Sequence, residues 1–276
     1  MRRLLHAGSV PLWGAGVRQL QVVDAHCGGE PARIVVGGLP SIGGASVVEQ
    51  RSIIMEKHDA LRTLLITEPR GYPCQNADFV LPSLRPDASF GVVVAEQAKI
   101  YPAMSGHNII CTATVLLETG MVPMAPDGVP TTFALDLPAG LVRVTAHCRA
   151  GRAESVTLQN APAFCRPEDR DVVVDVPHVG KVTVDIAYGG MHYVIVDAAQ
   201  LGLTLDGANG SEICRLGEMI KVACREQHPV THPEIQYPGP DILVFREKQP
   251  PPTTTTTVLS ASNADAHPSS STADGK

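Results

Sequence analysis

The sequence predicts an α/β (α+β) fold in which one helix runs through the middle of a curved, mostly antiparallel sheet. Three observations predict it. Residues 105–120 place apolar side chains at Ile109, Ala113, Leu116 and Leu117, with Glu118 as the only carboxylate or cation and Gly120 as the stop. A helix apolar on nearly every side belongs inside a domain rather than on its face. After Gly120 the pattern turns to short alternating runs at 132–136, 141–147, 155–158, 172–174, 181–186 and 193–196, as in an antiparallel meander. The composition, 44% hydrophobic and 18% charged over 276 residues, is globular and sufficient for one large domain or two modest ones.

Taken in order, residues 1–19 carry Arg2, Arg3 and Arg18, with no acid before Asp24. They read as a disordered leader, with a weak mitochondrial presequence as the alternative and no apolar core of a secretory signal. Residues 20–24 and 33–36 read as strands around the turn-rich segment His26-Cys27-Gly28-Gly29-Glu30-Pro31. His26 and Cys27 have no neighbours spaced to complete a ligand set, so no metal is expected. Residues 52–67 have the period of one helix, stopped by Pro69; Glu68 and Arg70 read as a paired loop. Residues 79–81 and 90–95 are apolar strands leading towards Ser105. Residues 211–227 form a second helix with Ile213, Leu216, Ile220 and Ala223 on one face and Asn209 or Ser211 as cap. Residues 241–245 give one more strand. From Pro250 the composition breaks into a run of three prolines, a run of five threonines and many small polar residues, with Val258 and Leu259 the only large apolar side chains. Residues 250–276 therefore read as a disordered low-complexity tail, unable to bury enough surface to offset the entropy of ordering.

The net charge of −6 argues against a nucleic-acid partner. No run approaches the roughly 18–20 apolar residues of a membrane span. Seven scattered cysteines without a Cys-x-x-Cys pair suggest reduced thiols and a cytoplasmic setting. No glycine-rich nucleotide loop is present.

The chemistry concentrates at Ser105. It stands where the free backbone N–H groups of Gly106, His107 and Asn108 can point at an anion such as a substrate carboxylate. A serine there is also a common N-cap. His107 reads either as an imidazole base or as helix-start packing, and Cys111, one and a half turns in, as core.

The stretch Tyr101-Pro102-Ala103-Met104-Ser105-Gly106-His107-Asn108 resembles the first active-site motif of the proline racemase family. Asp24-Ala25-His26-Cys27-Gly28-Gly29-Glu30-Pro31-Ala32-Arg33-Ile34-Val35, Glu68-Pro69-Arg70-Gly71 and Val184-Asp185-Ile186-Ala187-Tyr188-Gly189-Gly190 are further similar blocks, in the same order. The resemblance, spanning residues 22–249, implies a diaminopimelate epimerase-like two-domain fold, each domain a curved, mostly antiparallel sheet around a central helix. It implies α-proton abstraction from proline or hydroxyproline without a cofactor. Ser105 would be the catalytic residue and Gly106 and His107 the carboxylate-binding ones. His232 would be substrate-binding, with an ordinary loop histidine as the even alternative. Asp185 and Tyr188 would be hinge packing. The serine in place of the family's more usual cysteine points to trans-3-hydroxy-L-proline dehydratase, a lyase, over the isomerases of the family, proline racemase and 4-hydroxyproline epimerase.

The resemblance also sets expectations for organisation: a first domain over residues 20–187 and a partial second one over 188–249. The family's second motif, Asp-Arg-Ser-Pro, occurs nowhere in the chain. The expectation is a chain truncated before that motif and inactive or nearly so. Its uncovered apolar face, including Ile220 and Val244, would favour self-association, with a homodimer as one form.

Overall fold

In the computed structural model, residues 19–247 are described. The leader and tail read above as disordered fall almost wholly outside them. Seven strands follow one another across a first sheet in chain order: β1 (Gln21–Cys27), β2 (Glu30–Gly37), β3 (Asn76–Pro82), β4 (Phe90–Ala95), β5 (Thr131–Leu137), β6 (Gly140–Arg149) and β7 (Arg152–Gln159). The pairs β2/β3 and β4/β5 are parallel and the other four antiparallel. Helix α1 spans Val47–Lys57, α2 spans Asp59–Ile66, and α3 spans Gly106–Glu118.

Helix α3 packs against β1, β2 and β3 at one side of this sheet and β7 at the other. A helix in contact with both outer strands requires the sheet to curl round it, giving a half-barrel. Nine of its thirteen residues are buried, so the near-absence of charge in this stretch reflects its place in the core. The core itself joins Ile109, Leu116 and Leu117 to Val80, Val92, Val94, Leu135, Val142 and Val144. On the outer face of β3 and β4, α1 and α2 bury Ile54, Leu65 and Ile66 against Val35, Phe79, Leu81 and Val93. Strands covered on both faces need no polar alternation, which is why 90–95 is a continuous apolar run, while β6 alternates.

The helix expected over 52–67 is two helices. The first begins earlier, with Ser46 Oγ accepting from the Glu49 N–H at 3.2 Å, a serine cap that satisfies one of the free donors at the helix start. His58, at φ −129° and ψ 19°, breaks the run. Asp59 then starts α2, held within the helix by Arg62 Nε at 2.8 Å and from outside it by the Tyr101 hydroxyl at 2.9 Å, the second a tertiary contact that local periodicity does not show. Arg70 donates Nε to the Leu64 carbonyl at 2.9 Å rather than to Glu68.

A second sheet has the order β13-β10-β9-β8, from β8 (Val172–Val176), β9 (Gly180–Tyr188), β10 (His192–Asp197) and β13 (Ile242–Arg246), with β10 and β13 parallel. Between them lie α4 (Gly210–Gln227) and a two-stranded ribbon of β11 (Val230–Thr231) and β12 (Pro238–Gly239). Helix α4 covers one face, setting Leu216, Ile220 and Ala223 on Val174, Val182, Val184, Val194 and Val196. The sheets thus divide between Gln159 and Val172, and the division expected after Ala187 falls inside β9. Alternation was common to all these strands and carried no information about which partner each would take. Ile220, expected to be uncovered, is 0% exposed on the inner face of α4, whereas Val244 is 40% exposed on the opposite face of the sheet.

Candidate active site

The loop that delivers Ser105 is fastened from three sides. The backbone N–H groups of Ala103 and Met104 both donate to the Gly190 carbonyl, at 3.1 and 3.2 Å, and Ala139 N–H donates to the Ala103 carbonyl at 3.0 Å. Gly190 lies at φ +109°, and a Cβ there would stand 2.7 Å from Met104 Cβ, so this turn between β9 and β10 admits only glycine. The buried Arg51 donates Nε to the Tyr101 carbonyl at 2.6 Å. Residues of both sheets therefore fix where α3 begins.

Ser105 is the N-cap residue by position, at φ −141° and ψ 119°, but its side chain caps nothing. The backbone N–H groups of Gly106, His107 and Asn108 are left to an anion, with the helix end supplying about +0.5 of an elementary charge. A Cβ at Gly106 would meet no atom within 4 Å, so packing does not dictate the glycine; its effect is to keep the helix end open. Ser105 Oγ instead accepts from Asn108 Nδ2 at 3.0 Å and lies 3.5 Å from His107 Nδ1. His107 Nε2 is 3.1 Å from Asn76 Nδ2 at the start of β3. Burial lowers the His107 pKa, with the charge of Glu30 opposing, so the ring is neutral at pH 7. Asn108 is fully buried and its Oδ1 has no partner.

Ser105, Gly106 and His107 stand together at the start of α3, joined by Asn76 and Asn108. His232 has other surroundings. Its Nδ1 accepts from the Glu234 and Ile235 N–H groups at 3.1 and 3.3 Å. Its ring lies 4.5 Å from Tyr188 and 5.3 Å from Phe164. Tyr188 packs with Ala103, two residues before Ser105, so His232 borders the loop that positions the serine while serving as a turn anchor. Tyr188 and Asp185 have packing roles, Asp185 Oδ1 accepting from the Asp171 N–H at 3.0 Å. Cys111 is core: burial, with Asp78 and Cys27 adding, pushes its thiol up to about 12. Among the described residues no group of three or more His, Cys, Asp or Glu could hold a metal ion.

Two carboxyls escaped the sequence reading. Asp78 is fully buried on β3, where Thr112 Oγ1 donates to Oδ2 at 2.7 Å and Oδ1 has no partner. Burial pushes its pKa up to about 7. Glu96 is also raised to about 7, by burial and then by Asp241 and Glu30. The signal was present for Asp78: a lone carboxylate inside the apolar run Ala77-Asp78-Phe79-Val80-Leu81. Its folded pKa lies above its ordinary 3.8, so it contributes no penalty below that value and costs stability as pH rises from about 4 to 7. At about 1.4 kcal/mol per pH unit, the cost above pH 7 is on the order of 4 kcal/mol. Asp78→Asn is expected to match the unchanged chain in urea unfolding at pH 4 and to exceed it by that amount at pH 8. Equal gains at both pH values would show that Asp78 is not the titrating group.

A family model described as proline racemase matches residues 22–274, running past Gln249, where the resemblance read from the sequence stops. Among curated relatives, a 4-hydroxyproline 2-epimerase of Agrobacterium fabrum is 41% identical over 233 residues, which is 83% of this chain and 66% of that protein. One from Streptosporangium roseum is 40% identical over 216 residues, 78% of this chain and 63% of that protein. The chain thus spans about two thirds of the length of these relatives. Among solved structures, a probable proline racemase from Agrobacterium radiobacter K84 with bound carbonate superposes with a TM-score of 0.78 at 38% identity, covering 84% of this chain and 67% of that one. A hydroxyproline epimerase from Agrobacterium vitis with bound trans-4-hydroxy-L-proline gives 0.78 at 34% identity, covering 85% and 69%. The matched length and identity, on a fold that sets the Ser-Gly-His-Asn motif at the mouth of its buried helix, place this chain in the proline racemase family.

Proposed function

We propose that this chain carries one acid/base half of an enzyme that inverts the α-carbon of 4-hydroxyproline without a cofactor. The observation that carries the reading is the Ser105 hydroxyl standing beside the open N–H groups of Gly106 and His107, in a chain 41% identical to a 4-hydroxyproline 2-epimerase. Removing an α-proton from an amino acid leaves a carbanion that must be stabilised where its charge develops. The α3 N-terminus does this by holding the carboxylate, into which that charge delocalises. Ser105 Oγ then exchanges a proton with one face of the α-carbon. With its acceptor side occupied by Asn108, its own proton is the one on offer, so it acts chiefly as the acid.

Inversion needs a second group on the opposite face, held to within about half an ångström. No Asp-Arg-Ser-Pro motif is present to supply it, and Cys27 and Cys111 are buried thiols. The 276-residue chain alone is therefore expected to turn over slowly or not at all; losing even one stabilising donor costs roughly 10²–10³ in rate. The second reading, dehydration of trans-3-hydroxy-L-proline, is favoured by one feature, the hydroxyl in place of a thiol, since loss of a ring hydroxyl needs an acid. The test is to assay the chain, alone and extended by an Asp-Arg-Ser-Pro segment from a relative. Trans-4-hydroxy-L-proline, trans-3-hydroxy-L-proline and L-proline are each followed by chiral chromatography and by imine formation. The extended form is expected to give the 4-hydroxyproline epimer as main product. Imine as the main product would select the dehydratase, and D-proline the racemase. Turnover near one per second by the unextended chain would contradict the need for a second group.

A further inference from the structure

The Ser105–His107 pair looks like a nucleophile and its base, in which the imidazole would take the serine proton. The hydrogen bonding on the other side of the ring says otherwise. Asn76 Nδ2 is a donor and can only meet a lone pair, and it lies 3.1 Å from His107 Nε2. A neutral imidazole with its lone pair at Nε2 carries its proton at Nδ1. That proton faces Ser105 Oγ, 3.5 Å away at the limit of hydrogen-bond contact. On its other side Oγ already accepts from Asn108 Nδ2 at 3.0 Å. Both neighbours of the hydroxyl are then donors, and neither can remove its proton.

We propose that Asn76 is a positioning residue that fixes His107 in the Nδ1-protonated form, so that Ser105 presents its proton outward as an acid and is not activated as a nucleophile. The role given to Ser105 rests on the functional reading above; the tautomer stands on the geometry alone. Three features of the fold keep Asn76 in place. It opens β3, pairs with Ala32 of β2 in parallel register, and is 7% exposed. Burial of the ring, which disfavours the imidazolium, holds it neutral against the charge of Glu30. Only a neutral ring can accept at Nε2. The same arrangement stabilises Oγ after it has given up its proton, since both donors then face a developing oxyanion.

The test reads the tautomer without substrate. In nitrogen–proton correlation spectra of the 276-residue chain, the His107 resonances are assigned by their loss in His107→Gln. At pH 7 the expected pattern is a protonated Nδ1 and an unprotonated Nε2. Asn76→Asp is nearly isosteric and turns the donor into an acceptor, so it is expected to move the proton to Nε2 or to leave both nitrogens protonated. A protonated Nε2 in the unaltered chain would overturn the proposal, even if no Asn76 variant folds. So would an unchanged tautomer in a folded Asn76→Asp chain. Asn76→Leu, which removes the donor without adding an acceptor, is expected to give a mixture of tautomers; a pure Nδ1-protonated ring there would show that Asn76 does not set it. Failure of the chain to act on any hydroxyproline would bear on the functional reading and leave these spectra to decide the tautomer separately.

Discussion

Ser105→Ala is expected to lower turnover of hydroxyproline by about 10²–10⁴, the usual contribution of a positioned acid or base, with little change in KM. The split follows from the geometry. In the proposed function the carboxylate sits on the backbone N–H groups of Gly106 and His107, at the start of α3, which alanine leaves intact. Proton exchange at the α-carbon would use Oγ, which alanine deletes. Ser105→Cys is the informative control. A thiol has an ordinary pKa near ~8.5, and a helix N-terminus with neighbouring donors lowers it further. That variant is expected to keep or increase turnover in the extended enzyme. A loss shared equally by both variants would mean that residue 105 acts through packing rather than proton transfer. Retained activity in Ser105→Ala would remove the serine from the mechanism.

Leu116→Ala is expected to destabilise the chain by about 3–5 kcal/mol, a large part of the roughly 5–15 kcal/mol that holds a domain folded. Leu116 is 0% exposed at the centre of α3, within the core enclosed by the curled sheet. That sheet packs against the helix from both of its edges and cannot collapse onto a shortened side chain from one direction. Leu64→Ala, at a position 40% exposed, is expected to cost under about 1 kcal/mol. Urea unfolding of the two variants measures the difference. Similar midpoints would mean that α3 does not carry the core.

The central helix was legible because its evidence is local. A stretch with a single charge and a glycine stop can only be buried, and α3 lies where that reading put it. The paired apolar strands β3 and β4 were legible for the same reason. Partnerships between distant residues were not. Nothing in the alternation of residues 172–196 told β8 and β9 to join β10 rather than β7. The second helix starts at Asp59, whose carboxylate meets the Tyr101 hydroxyl from 42 residues away. The Ser-Gly-His-Asn motif made the grouping of Ser105, Gly106 and His107 legible, since all three lie on one turn. Asn76 and Asp78 meet α3 from 31 and 34 residues away, and a polar residue at the head of a strand carries no mark of the side chain it will meet. His232 was open between two roles, and the turn amides that occupy its Nδ1 could not be foreseen from His232-Pro233.

The central claim is that Ser105, at the open end of α3, exchanges the α-proton of hydroxyproline. It is tested most directly by proton NMR of trans-4-hydroxy-L-proline in deuterium oxide with the extended chain. The expected result is an inverted product carrying deuterium at the α-carbon with the ring hydroxyl retained, and no inverted product above background with Ser105→Ala. Inversion that persists undiminished in Ser105→Ala would contradict the claim.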